Sequence, residues 1–340
     1  MQRLIKSKSY IILIIELSLI LFVLCIISLS IGIYKIPFIQ TVKILFSRIF
    51  NYEQTWSNTM YAVIFNVRLP RVIASVLIGF ALGISGAAYQ GIFKNPLVSP
   101  DILGVSAGAT VGAAMAILLG LKYYHNMIFA FLGGLSAVAL CMLIPTLTGK
   151  KSILALVLSG IIVSGFLSSL LGLIKYLADI NSQLPEIVFW QMGSLSKVTY
   201  TSIAIASPLI IICCIFLVLM RWRINALSLS DREAQSLGVN IVIERILIIL
   251  FSTLLTAVSV CISGTIGWLG LTMPHFTRLI IGNDNIKVLP LVGIISAVFL
   301  TIVDFLARNL TGSEIPLGII TGFLGAPLFA FLFIRQKKID

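Results

Sequence analysis

Apolar runs long enough to cross a lipid bilayer recur along this chain, and they restrict its fold more than any other feature. A membrane-spanning helix needs roughly 20 apolar residues, and candidate runs lie at 10–33, 70–90, 102–121, 126–147, 152–178, 200–220, 242–263, 265–282, 288–308 and 315–334. The eighth is interrupted by Pro274, His275 and Arg278. The composition agrees: of 340 residues, 59% are hydrophobic and 11% charged, with a mean hydropathy of +1.10. Soluble domains are about half apolar and a quarter charged, so a soluble enzyme is excluded. The expectation is an all-α, polytopic membrane protein with about ten transmembrane helices, forming one domain over residues 1–340.

Lysine and arginine number 24 against 12 acidic residues, a formal charge of +12. In a membrane protein such an excess marks cytoplasmic loops rather than nucleic acid. With the N-terminus inside, fifteen basic residues fall in cytoplasmic segments, from Arg3, Lys6 and Lys8 to Lys337 and Lys338, and nine fall outside. Both termini are therefore expected in the cytoplasm. The run after Lys8 is too long for the core of a signal peptide and lacks a small-residue cleavage site, so it is expected to remain as the first span. Cys25, Cys141, Cys213, Cys214 and Cys261 lie in apolar runs, with no C-x-x-C pair and no histidine at ligand spacing. They read as packing residues, and no metal site is expected.

Several features point beyond a bare bundle. Ile84-Ser85-Gly86 precedes Pro96 at the spacing with which Ile262-Ser263-Gly264 precedes Pro274. The copies fall on spans two and seven, which run in opposite directions, the pattern of an inverted repeat framing a transport path. In the fifth span Gly160, Ser164, Ser168 and Gly172 recur every fourth residue. Such a stripe either packs helices within one subunit or lines a polar path at a subunit interface. The stretch Gln90–Gly104 holds Lys94, Asn95, Pro96, Pro100 and Asp101, so it cannot be lipid-exposed helix, and it reads as a turn bordering the path.

The longest polar cytoplasmic segment is 221–245. Ser230 can cap a short helix with Glu233 at its third position, and Gly238 can end it, leaving Ala234 and Leu237 as a small apolar patch. The segment is either a docking element for a cytoplasmic partner or a solvated loop helix. Arg68, Arg71 and Arg308 sit at the outer mouths of spans two and nine, where they either anchor helices or receive acidic residues of an extracellular partner. Gly149-Lys150-Lys151-Ser152 lacks the earlier glycine of a phosphate loop and has Lys151 where a hydroxyl residue would hold magnesium. The chain is thus not expected to hydrolyse ATP, and no catalytic residue is assigned. Ionisable residues within the spans are mainly Glu16 and Asp304, and no string of carboxylates suggests a proton relay. That argues against an ion-coupled secondary transporter, which stays as the alternative of a different class.

Arg68-Leu69-Pro70-Arg71, followed by ISGAAYQGIFKNPLVSPDILGVSAGA from Ile84 to Ala109, resembles the signature of the FecCD/BtuC-type permeases of ATP-binding-cassette importers. Trp190-Gln191-Met192-Gly193-Ser194, EAQSLG from Glu233, GTIGWLGLTMPHFTR from Gly264 and EIPLGIITGFLGAPLF from Glu314 follow in the family's order. The resemblance implies a type II importer permease in a bacterial or archaeal plasma (inner) membrane. It implies a homodimer around a central path, two cytoplasmic ATPase subunits that bind the ATP and magnesium, and an extracellular or periplasmic substrate-binding protein. No cofactor of the chain's own is implied.

By the same resemblance Asp231, Glu233, Ala234, Leu237 and Gly238 belong to the helix that docks the ATPase, and Arg68, Arg71 and Arg308 meet glutamates of the binding protein. Asn95 and Leu97 fall in one cytoplasmic gate, and Lys151 and Ser152 in a second. The expected cargo is a metal chelate, a ferric siderophore first, with haem, cobalamin or molybdate on the same scaffold as alternatives. Trp268 stands where many siderophore permeases have phenylalanine, and Met273 replaces a common aliphatic residue, so substrate identity does not carry over with the motif.

Overall fold

The computed structural model describes residues 7–47, 50, 53–149 and 152–336. Arg3, Lys6, Arg48, Lys150, Lys151, Lys337 and Lys338, which carry part of the charge asymmetry, lie outside the described residues. Helix α1 (Ser7–Ser30) is followed by α2 (Phe38–Phe46), and α3 (Asn58–Ala62) runs through a π-helical turn (Val63–Arg68) into α4 (Leu69–Phe93). A 3-10 turn (Pro100–Leu103) leads to α5 (Val105–Leu118), α6 (Tyr123–Leu147) and α7 (Ile153–Leu177). Next come α8 (Gln183–Met192), α9 (Tyr200–Leu219), α10 (Arg221–Leu227) and α11 (Asp231–Ser236). The chain closes with α12 (Ile241–Ser263), α13 (Leu269–Ile281), α14 (Asn285–Asn309) and α15 (Leu317–Gln336). No strand occurs among the described residues.

Every expected span coincides with a helix, and seven helical stretches among the described residues are long and apolar enough to cross a membrane. By contrast α5 and α13, of 14 and 13 residues, reach only about 20 Å at the helical rise of ~1.5 Å per residue. The second span differs most from expectation. Pro70 suggests a helix start, yet the helix runs unbroken over Asn58–Phe93, 36 residues. A proline inside a helix removes an amide donor and crowds the carbonyl four residues back. Here the wide turn at Val63–Arg68 accommodates it, with the Leu69 amide bonding to the carbonyl of Ile64 instead. Three further elements were not foreseen: α2; α8, whose Gln183 donates to the Leu118 carbonyl at the end of α5 (3.0 Å); and α10.

The most buried spans are α4, α12 and α14, and α1 and α7 are the least buried. Lipid is as apolar as leucine, so helices in a membrane associate through close approach and shared hydrogen bonds. Gly86 of α4 faces α13 so closely that a Cβ would stand 1.9 Å from the Gly270 carbonyl oxygen. Toward α12, the Ser85 hydroxyl pairs with Thr256 (2.9 Å) and the Tyr89 hydroxyl with Thr253 (2.8 Å).

A repeat is visible in the order of elements. Helices α4, α5 and α6 have 25, 14 and 25 residues; α12, α13 and α14 have 23, 13 and 25. Lys94, just past the end of α4, pairs with Asp231 at the start of α11, which also meets Arg245 in the second turn of α12 (3.5 Å), so the end of α4 lies beside the start of α12 and the two helices run in opposite directions. The matched letters themselves occupy unlike geometry: Gly86 is inside α4, whereas Gly264 closes α12 at φ +66°. Both α1 and α15 have their outer chain ends on the face that carries α11. There the Tyr10 hydroxyl bonds to the Lys287 carbonyl at the head of α14 (2.8 Å).

Candidate functional site

On that face the capped helix forms as the sequence suggests. The Ser230 hydroxyl accepts from the Glu233 amide (3.3 Å), and the Glu233 carboxylate accepts from the Ser230 amide (2.9 Å). Those two donors at Ser230, hydroxyl and amide, hold the Glu233 carboxyl below its ordinary range. Gly238 ends the helix at φ +77°, a conformation open to glycine at little cost. The expected patch is corrected, however. Ala234 is 1% exposed and turned toward the bundle, while Leu237 is 50% exposed. Leu237 has left the helical conformation (φ −83°, ψ 6°), so its side chain no longer follows the helical face shared with Ala234. Of the expected pair, Leu237 faces outward and Ala234 does not.

This element is tied to the turn where the first gate is expected. Lys94 closes α4 in a left-handed conformation (φ 53°), and its ammonium lies 3.1 Å from Asp231. That contact is the main reason the Asp231 carboxyl is held low, with Arg245 adding to it. Beyond Lys94, the Asn95 side chain accepts from the Leu97 amide (2.9 Å), forming a turn that leaves Leu97 exposed. Gln90 holds the far side, donating to the carbonyls of Val98 (3.4 Å) and Leu271 on α13 (3.1 Å). Where the second gate is expected, Ser152 caps α7 by accepting from the Ala155 amide (3.1 Å); Lys151 lies outside the described residues.

The small-residue stripe of α7 divides in two. A Cβ at Gly160 would stand 2.0 Å from the Ile102 carbonyl oxygen, and the Ser164 hydroxyl lies 3.0 Å from where a Cβ would stand on Gly104. These two receive the 3-10 turn within the same chain. Ser168 and Gly172 are exposed, and nothing lies within 4 Å of a Cβ at Gly172. Beside the turn, Ser99, Asp101, Ser106 and Trp268 line a crevice between α12 and α13. No cluster of three or more His, Cys, Asp or Glu that could hold a metal occurs among the described residues.

At the opposite face the three arginines are turned inward. Arg68 donates to the carbonyls of Leu29 (2.7 Å) and Ser30 (2.9 Å) at the end of α1. Arg71, 6% exposed, donates through Nε to Asp304 (2.5 Å) and through both Nη atoms to Glu314 (2.8 Å each). Arg308 pairs with the second oxygen of Asp304 (3.1 Å) and reaches the Ser28 hydroxyl. Glu314 also accepts from Ser194 in the turn after α8 (2.8 Å). Glu314 and Ser194 were not singled out by charge or spacing; the available signal was that Glu314 is the only acid in the segment joining α14 to α15. Thus Arg71, Arg308, Asp304 and Glu314 converge, while Arg68 serves the neighbouring helix.

The FecCD transport family matches residues 20–335. The chain belongs to that family. It is 38% identical to the molybdate import system permease protein MolB of Haemophilus influenzae, over 98% of both chains. It is 36% identical to the hemin transport system permease protein HmuU of Yersinia pestis, over 83% of this chain and 86% of that one. Among solved structures, an inward-facing conformation of a metal-chelate type ABC transporter superposes with a TM-score of 0.85 at 37% identity, covering 95% of this chain and 99% of that one. The FecCD chain described here is accordingly a multi-pass permease of the ATP-binding-cassette importer type, with transport rather than catalysis as the role of its relatives.

Proposed function

We propose that this FecCD permease moves a metal chelate inward, with a ferric siderophore as the first candidate. Two copies form the path, two ATPase subunits dock beneath it, and a soluble binding protein delivers cargo to the face bearing Arg71 and Arg308. The face with α11 is then cytoplasmic, as are both termini, and the membrane is a bacterial or archaeal plasma membrane. The observation that carries the reading is the link from α11 through Asp231 and Lys94 to the turn at Asn95 and Leu97. A partner pulling on Leu237 and Gly238 would move a gate next to the path, and rocking of the dimer between outward and inward access follows. Ser168 and Gly172, open in the single chain, face the second copy or the path.

Docking is tested by Leu237→Glu. The variant is expected to insert and fold but to lose co-purification of the ATPase subunit; retained ATPase would refute the docking role. For cargo, the similarity to MolB across the whole chain favours molybdate as the second reading. Uptake of radiolabelled ferric siderophore and of molybdate by the complete transporter in proteoliposomes decides between them. Accumulation of molybdate alone would replace the siderophore.

A further inference from the structure

We propose that Glu314 is a built-in stand-in for an acidic residue of the binding protein: it holds Arg71 in the free permease and is displaced when that protein docks. The inference rests on the docking reading above and adds the step by which docking acts on the chain. Within the cluster the charges already balance, Arg71 and Arg308 against Asp304 and Glu314, and Arg71 has every guanidinium nitrogen engaged. At Arg71 an incoming carboxylate therefore finds no free fork and must exchange with one that is present.

The two resident carboxylates differ in their freedom to leave. Asp304 is fully buried within α14 and serves both arginines, so its departure would leave Arg308 without a carboxylate in a buried site. Glu314 sits at the end of a segment whose residues 310–313 are all exposed, and its own side chain is partly open. A glutamate from outside would offer the same planar carboxylate to the same two Nη donors, so Arg71 passes from one bidentate pair to another without being bared.

Exchange also has a mechanical consequence. Glu314 fastens the segment before α15 to α4 through Arg71 and to the turn after α8 through Ser194, beside the Leu317 amide on the Gly193 carbonyl (2.9 Å). Its release frees the head of α15 from α4 while leaving the main-chain contact, which makes docking a signal to the outer end of the path.

The test measures binding of the substrate-binding protein of its own transport system to the permease–ATPase complex in nanodiscs. Glu314→Gln, which no longer competes for Arg71, is expected to bind about five- to tenfold more tightly than wild type, with the gain shrinking as salt rises. Ser194→Ala keeps the charge and loosens only its hold, and is expected to give a smaller gain of about twofold. A second readout is Ser313→Cys labelled with a membrane-impermeant maleimide, since the native cysteines are packed in the helices; labelling is expected to accelerate on docking. Binding by wild type with no gain in either variant and unchanged labelling would overturn the exchange alone. No binding by wild type would overturn the docking reading and the exchange with it.

Discussion

Two short helices begin at left-handed residues in corresponding places of the two repeats, and only one of those residues is glycine. Gly104 precedes α5 at φ +77°, and Trp268 precedes α13 at φ +68°. For a side chain of that size the conformation costs about 1–2 kcal/mol, so the surroundings must enforce it. They do so by bonding the Leu271 and Thr272 amides to its carbonyl (3.1 and 2.8 Å) and by a close pass of α15, where a Cβ on Gly325 would lie 2.7 Å from that of Trp268. Gly104→Ala is expected to lower stability by about 1–2 kcal/mol, read as a fall in thermal midpoint in detergent. Gly172→Ala, with open space around it, is expected to stay within about 0.5 kcal/mol while lowering transport if that face borders the path. Asp304→Asn leaves Arg308 without a carboxylate and Arg71 with Glu314 alone, and is expected to cost about 3–5 kcal/mol in the same unfolding assay. Of these residues Asp304 was legible in the sequence as a charge in an apolar run. Arg308 stands four residues on in the same helix, at ion-pair spacing, but Arg71 lies on α4, and no local pattern encodes that meeting.

At the scale of the element, α11 was the most legible piece of the candidate site. A serine followed three residues on by glutamate, with glycine beyond, specifies caps by local hydrogen-bond geometry alone. Ser230→Ala is expected to weaken this helix by about 1 kcal/mol and to reduce ATPase co-purification while the thermal midpoint of the bundle holds. The pH response follows from Glu233. Its folded carboxyl lies below the ordinary 4.5, so its contribution is fully present above that value and is lost as pH falls through the lower, folded one. ATPase docking is therefore expected to be flat from about pH 5 to 8, and a decline centred near neutrality would contradict the capping role. What the local pattern could not foresee was the facing of Ala234 and Leu237, which depends on where the helix stops and what it rests on. The stripe on α7 left two readings open for the same reason: spacing puts four small residues in line, but only a neighbour decides which of them are covered.

For the whole molecule, the reading as an ATP-driven permease separates from an ion-coupled transporter by a single assay. Vesicles with the permease and its ATPase are expected to accumulate cargo only with ATP and the binding protein; uptake driven by a proton gradient alone would overturn it. The sequence by itself determined that this is a helical membrane protein and where its helices run, because the transfer of apolar side chains into lipid is a sum over neighbouring residues. It also determined the caps, which are contacts within a few residues. Only the tertiary structure decided that the helix carrying Arg71 continues to Asn58 through a widened turn, that α5 and α13 fall short of a full crossing, and that the outer arginines face inward. Those outcomes depend on which distant groups are near enough to satisfy a buried charge or admit a backbone at contact distance. A one-dimensional pattern of apolar and polar residues carries no record of that.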